Sequence, residues 1–186
     1  NSLEKIVEET AKDIFVPLTV SGGVRSEEDA KLLMKNGADK LAINSALFND
    51  KQLAKLLIQK YGSQSIMLSI QAKKIAKNSW EAYINFGRDR TNIDVIEWVK
   101  EMASFNFGEL LLTSIDADGT SNGFDVELYE NVCKYINFPI IAGGGFGKLN
   151  HIIELKKYAQ IDAITISKAL LYEKIRIKEI KKFTKE

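Results

Sequence analysis

Residues 17–48, PLTVSGGVRSEEDAKLLMKNGADKLAINSALF, align with residues 139–171, PIIAGGGFGKLNHIIELKKYAQIDAITISKALL, with one extra residue in the second copy. Each copy reads as a strand, a Gly-Gly turn, an amphipathic helix and a second strand ending in Asn44-Ser45 or Ser167-Lys168. A shorter echo links Ile70-Gln71-Ala72 to Ile115-Asp116-Ala117. Two copies of a four-strand half barrel produce this spacing, whereas a doubly wound sheet has no reason to repeat its phosphate loop. The repeat therefore points to a (β/α)8, or TIM, barrel of the α/β class.

Outward from the repeat, strand-like apolar runs alternate with longer amphipathic stretches along the whole chain. Strands are expected at 16–20, 40–43, 66–70, 109–113, 139–142 and 163–166. Helices are expected at 2–13, from Ser26 to about Asn36-Gly37, and at 51–61, 93–104, 126–135, 149–158 and 175–185. Ser26 with Asp29 has the spacing of a capping box, and Gly37 that of a helix stop. Between the third strand and its helix, residues 73–87 read as an active-site loop in which 80–84 alternates like a hairpin strand. The count is six βα units behind a leading helix, in a single domain spanning 1–186.

Composition narrows the function. Lys and Arg number 26 against 25 Asp and Glu, a net charge of +1, which argues against a nucleic-acid footprint. Apolar runs such as 138–142 are far short of the ~18 residues a membrane span needs. The one cysteine, Cys133, forms no internal disulfide and points to a reducing, cytoplasmic setting. No Cys/His grouping has metal-ligand spacing, so neither a metal nor a cofactor is expected. His151, the only histidine, is expected on the surface of its helix, and Trp80 and Trp98 as core or loop anchors.

The clearest chemistry lies in the glycine-rich turns. At Ser21-Gly22-Gly23 and Gly143-Gly144-Gly145 the missing side chains let backbone N–H groups approach an anion. Asn44-Ser45 and Ser167 end the neighbouring strands, so each pair of strand ends can hold one phosphate. A single Gly-Gly is better read as a tight βα turn. Its duplication favours two phosphate cradles and a small-molecule substrate phosphorylated at both ends.

The stretches PLTVSGGVRSEEDAKLLMKNGADKLAINSA, YGSQSIMLSIQAKK, GELLLTSIDADGTSNGFDVEL and PIIAGGGFGKLNHIIE together resemble the HisF family, the cyclase subunit of imidazole glycerol phosphate synthase in histidine biosynthesis. The resemblance implies a TIM barrel that converts N'-phosphoribulosylformimino-AICAR phosphate and ammonia into imidazole glycerol phosphate and AICAR. It implies a glutamine amidotransferase (HisH-like) partner, docked on the N-terminal face, as the ammonia source. By the same resemblance one phosphate meets Gly23, Asn44 and Ser45. The other meets the backbone of Asp118-Gly119 with Gly144, Gly145 and Ser167, beside a Lys168 where the family has an apolar residue. Thr113 and Ser114 resemble the substrate-contacting pair, Lys40 and Glu109 two of the charges ringing the ammonia entrance, and Asp39 a residue facing the glutaminase.

The resemblance also places Asn1 in the family's second helix. The first βα unit, with the general-base aspartate ending its strand, and the second strand are therefore expected to lie outside this sequence. The main departure is Gln71, which stands where the family has the general acid Asp. A glutamine keeps the size and the hydrogen bonding but has no proton to deliver. A second function stays open: a HisF-like ammonia conduit between a glutaminase and a sugar amidotransferase in surface-glycan synthesis. Gln71 with retained Lys40 and Glu109 suits the conduit, and the double cradle suits the cyclase.

Overall fold

In the computed structural model, which describes residues 2–184, the chain forms two compact units, Asn1–Ser69 with Met102–Leu110 and Ile70–Glu101 with Leu111–Glu186. The first unit opens with α1 (Leu3–Asp13), which buries Val7, and β1 (Thr19–Ser21). β1 is shorter than the expected 16–20. Val16 is 69% exposed and Pro17 has no N–H for a ladder, so residues 16–18 approach the sheet without forming its strand. α2 (Glu27–Lys35) starts at the expected capping box, Ser26 Oγ accepting the Asp29 N–H at 3.1 Å and Asp29 Oδ2 the Ser26 N–H at 3.1 Å. It stops at Asn36 before Gly37, whose φ is +106°.

β2 (Lys40–Ile43) runs parallel to β1, with Ser21 opposite Ala42. A short helix that the sequence reading did not include, α3 (Ser45–Asn49), follows at once, and then α4 (Gln52–Tyr61). β3 (Ile66–Ala76) enters parallel to β2, with Ile43 opposite Leu68, giving the local order β1-β2-β3. The core of this unit comes from the inner faces: Ala30, Leu33, Leu41, Ile43, Leu47, Leu57 and Leu68 are buried.

β3 then runs on into the second unit. Its parallel register gives way to an antiparallel one at Gln71, opposite Tyr83 in β4 (Ser79–Ile84), and β4 pairs in turn with β5 (Asp89–Asp94). The expected loop at 73–87 is thus a three-stranded antiparallel extension, and Gln71 lies within a strand rather than at its end. β5 also takes Ile93 and Asp94 out of the expected helix, so α5 (Val95–Ala103) begins where Asp94 Oδ1 accepts the N–H of Ile96 at 2.8 Å. Both faces of β4 are covered: Trp80 and Ala82 are fully buried, and so is Glu81. Arg90 Nη2 donates to Glu81 Oε2 at 2.8 Å and the Asn92 N–H to Oε1 at 2.8 Å, which hold this carboxyl below the usual range. A buried carboxylate persists only with such partners.

The unit continues with β6 (Glu109–Ser114), α6 (Val126–Val132), β7 (Ile140–Gly143), α7 (Asn150–Tyr158), β8 (Ala163–Ile164), α8 (Lys168–Leu171) and α9 (Ile177–Phe183). The local order is β3-β6-β7-β8. Asp125 caps α6 by accepting the Leu128 N–H at 3.2 Å and also accepts the Trp80 indole N–H at 2.9 Å, tying the antiparallel extension to the start of that helix. Lys74 pairs with Glu127 beside it. Trp80 and Trp98 are both buried core anchors.

The internal repeat has a structural counterpart in each unit. Asp39 accepts the Leu18 N–H at 2.7 Å and returns its own N–H to Leu18 O at 2.9 Å. Asp162 does the same with Ile140, at 2.9 and 3.0 Å. Each aspartate thereby fixes the start of the preceding parallel strand, an unpaired N–H otherwise being left at the sheet margin. Among the described residues no helix is long and apolar enough to cross a membrane.

Candidate functional site

In the second unit, Gly144 and Gly145 leave β7 with φ of +88° and +99°. A Cβ on Gly144 would lie 2.7 Å from Ser114 O and 3.2 Å from Asp118 N; one on Gly145 would lie 1.9 Å from Gly123 O. Both positions therefore exclude a side chain because the backbone after β6 presses against them. The Gly123 N–H donates to Gly145 O at 2.8 Å and locks the approach. Around these glycines is a cavity of about 50 Å³, to which Asp118, Gly119, Ser121, Ser167 and Lys168 also contribute. That exceeds the ~10–15 Å³ one water requires. Five residues singled out from the sequence, Asp118, Gly119, Gly144, Gly145 and Ser167, thus meet in one place.

The end of β6 shapes this cradle. Thr113 Oγ1 would be 2.7 Å from a Cβ on Gly143, so Thr113 packs against β7. Ser114 is fully buried and its hydroxyl accepts the Ala117 N–H at 3.4 Å, holding the turn that carries Asp118 and Gly119.

Two residues that the sequence reading did not place here brace the cradle. Tyr129 is fully buried, with its hydroxyl 2.7 Å from Gly143 O and 3.1 Å from Leu112 O while accepting the Gly143 N–H at 3.1 Å. Burial pushes its phenol well above the ordinary value, so it stays protonated and bridges β6 to β7. His151, expected on the surface, is instead 5% exposed. Its Nδ1 accepts the Gly147 N–H at 3.1 Å, and its ring lies 3.7 Å from where a Gly123 Cβ would be. The one available signal was its place early in the helix after a glycine-rich turn.

Burial lowers the His151 pKa, opposed by Glu154 and assisted by Lys148. The unfolded chain takes up a proton near pH ~6.5 that the folded chain refuses, so stability is full above that value and falls as the pH drops through it. Melting curves should show the parent losing stability as the pH falls below the ordinary histidine value of about 6.5. A His151→Leu variant should be weaker at neutral pH by ~1–3 kcal/mol, for the orphaned Gly147 N–H, and flatter across that window. Equal slopes would assign the pH dependence to another group.

Gln71 is half-buried on β3, and the carbonyl of the next residue, Ala72, accepts the Ile115 N–H at 2.8 Å. Asp116, the nearest carboxylate in the repeat echo, is exposed, with Oδ2 accepting the Lys74 backbone N–H at 2.7 Å.

In the first unit, the β1–β2 register places Gly22-Gly23 and Asn44-Ser45 at the same end of adjacent parallel strands. Gly23 has φ +78°, and a Cβ there would meet only the mobile end of Leu3 at 2.7 Å. It borders a cavity of about 240 Å³ with Glu4, Arg25 and Asp29. At the opposite strand ends Lys40 Nζ donates to Glu109 Oε1 at 2.6 Å, the two side chains 27% and 24% exposed. Asp39, next to Lys40 in sequence, is exposed, its carboxylate on Leu18. Among the described residues no cluster of His, Cys, Asp and Glu has a metal-binding arrangement.

A family model described as "Histidine biosynthesis protein" matches residues 1–176. The "Imidazole glycerol phosphate synthase subunit HisF" of Hydrogenobaculum sp. (strain Y04AAS1) is 40% identical over 186 residues, covering 100% of this chain and 74% of that protein. The protein of the same name from Bacillus cereus (strain AH187) is 42% identical over 177 residues, covering 95% of this chain and 70% of its own length.

Proposed function

The chain belongs to the HisF family of imidazole glycerol phosphate synthase subunits, an α/β family of the TIM-barrel type, and from that premise we propose that it is the cyclase subunit of such a synthase. In this reading it takes a substrate phosphorylated at both ends, N'-phosphoribulosylformimino-AICAR phosphate, together with ammonia. It closes the imidazole ring to give imidazole glycerol phosphate and releases AICAR. The observation that carries the reading is the cradle at Gly144 and Gly145, where side chains are excluded and backbone, Ser167 and Lys168 line one small cavity. Oriented amides and glycines of this kind bind phosphate oxygens without reorganising.

The other phosphate goes to Gly23, Asn44 and Ser45. Thr113 and Ser114 sit at the substrate's side of β6, Thr113 as a direct contact and Ser114 by holding the Asp118-Gly119 turn. Ammonia comes from a glutaminase partner, the relatives being named as subunits of a synthase. It enters past the Lys40–Glu109 pair at the strand starts, with Asp39 on the partner-facing side. Gln71 occupies the position of the general acid and supplies a hydrogen bond in place of a proton.

That glutamine also supports a second reading, a non-cyclising barrel that only passes ammonia from a glutaminase to a sugar amidotransferase. The two part on one observable. A cyclase given ammonium and the bisphosphorylated substrate releases AICAR, and a conduit leaves the substrate intact.

A further inference from the structure

Lys168 is the exposed first residue of α8, and its ammonium donates to Gly119 O at 2.5 Å across the mouth of the second-unit cavity. Among the residues lining that cavity it and Asp118 are the charged ones. Without Lys168 an incoming anion would meet a net negative rim. Gly119, the residue whose carbonyl holds the lysine, itself lines the cavity, with φ +72° and open space where a Cβ would stand. Ser121 Oγ, buried and without a hydrogen-bond partner among the described residues, lines the same cavity and is left for a ligand oxygen. The repeat sharpens the contrast, since the first copy has the neutral Ser45 where the second has Lys168.

We propose that Lys168 is the charge-bearing phosphate residue of this cradle, parked on Gly119 O until a phosphate arrives. The inference rests on the phosphate reading given above and adds a residue to it. A carbonyl is a neutral acceptor, and a phosphate dianion is a charged one with which an ammonium makes a shorter and stronger bond. A lysine, being a point charge on a flexible stem, moves between the two without disturbing the backbone. Parked, it holds the Gly119 turn in place; engaged, it neutralises part of the phosphate charge beside Asp118. The Ser121 hydroxyl supplies a further hydrogen bond inside the cavity. The copy at Ser45 has no such cation, so the two cradles differ in their response to ionic strength.

The test follows the amide resonances of Gly119 and Gly144 while inorganic phosphate is titrated into the parent, Lys168→Met, Lys168→Arg and Gly145→Asp proteins, each at low and high salt. Loss of a charge-assisted bond corresponds to weakening by about tenfold or more. Lys168→Met should show that loss with a flatter salt dependence, and Lys168→Arg should stay within about threefold of the parent. Phosphate affinity and salt slope unchanged in Lys168→Met, with binding lost in Gly145→Asp, would overturn the role of Lys168 and leave the cradle standing. No phosphate response in the parent itself would overturn the phosphate reading and Lys168 with it.

Discussion

Replacing Gly145 with aspartate should abolish binding of the bisphosphorylated substrate. The position has φ +99°, a region that costs a side-chain-bearing residue ~1–2 kcal/mol, and its new Cβ would overlap Gly123 O at 1.9 Å. Backbone must therefore move, breaking the Gly123 N–H to Gly145 O bond that closes the cradle, and the added carboxylate would repel the phosphate proposed for this cavity. Because so forced a change can also prevent folding, Gly119→Asp serves as the milder partner. It has φ +72°, which Asp tolerates better than most residues, and no atom within 4 Å of its Cβ position. This variant should fold and still bind the ligand at least about tenfold more weakly, by placing a negative charge at the rim. Calorimetric titration reads both, and substrate affinity unchanged in a folded Gly119→Asp protein would count against the cradle.

The second large effect runs in the opposite direction. Gln71→Asp should raise the cyclisation rate by ~10²- to 10⁴-fold, the usual worth of a positioned general acid. In the cyclase reading an amide at this position can hydrogen-bond a leaving group but has no proton to give it. The surrounding frame is intact: Gln71 stands in register with Tyr83, and the next carbonyl holds Ile115 at 2.8 Å, so an aspartate inherits a fixed strand position. Gln71→Asn, which changes length without adding an acid, should gain nothing. Single-turnover rates with saturating ammonium separate the chemistry from substrate binding. Equal rates in the parent and Gln71→Asp would move the proton donor elsewhere, with Asp116 the next carboxylate to examine.

The sequence made the periodic parts of this fold legible. The capping box at Ser26 and Asp29 needs only four residues to specify itself, and the parallel strands 40–43 and 109–113 were bounded to within a residue. The repeat aligns Asp39 with Asp162, but only the structure shows that each carboxylate pins a strand start. What escaped depends on tertiary partners. Of the extension formed by β3, β4 and β5, the hairpin strand at 80–84 is readable from its alternation, but β5 hides because Glu81 and Arg90 look like surface charges until Arg90 and the Asn92 amide are brought onto a buried carboxylate. β1 is short because of Pro17, and α3 and α8 are single turns below the reach of periodicity. His151 is misread for the same reason: its place after a glycine-rich turn is the one hint that a glycine N–H will come to it.

At the cradle, the glycines were readable as a duplicated pair, but their cause was not, since it is the carbonyls of Ser114 and Gly123 that exclude a Cβ. Tyr129 carried no signal beyond its apolar helix face. Lys168 stands out in the sequence as a departure beside Ser167, but its bond to Gly119 O, and the place of Ser121, become visible only when the turn after β6 is laid against the start of α8.

The measurement that bears most directly on the cyclase assignment is ammonium-dependent release of AICAR from N'-phosphoribulosylformimino-AICAR phosphate by the complete natural polypeptide, without a glutaminase. The expected result is release that requires ammonium, saturates with substrate and is slow in the parent. No AICAR at any ammonium concentration, from either the parent or Gln71→Asp, would contradict the cyclase and leave the barrel as an ammonia conduit.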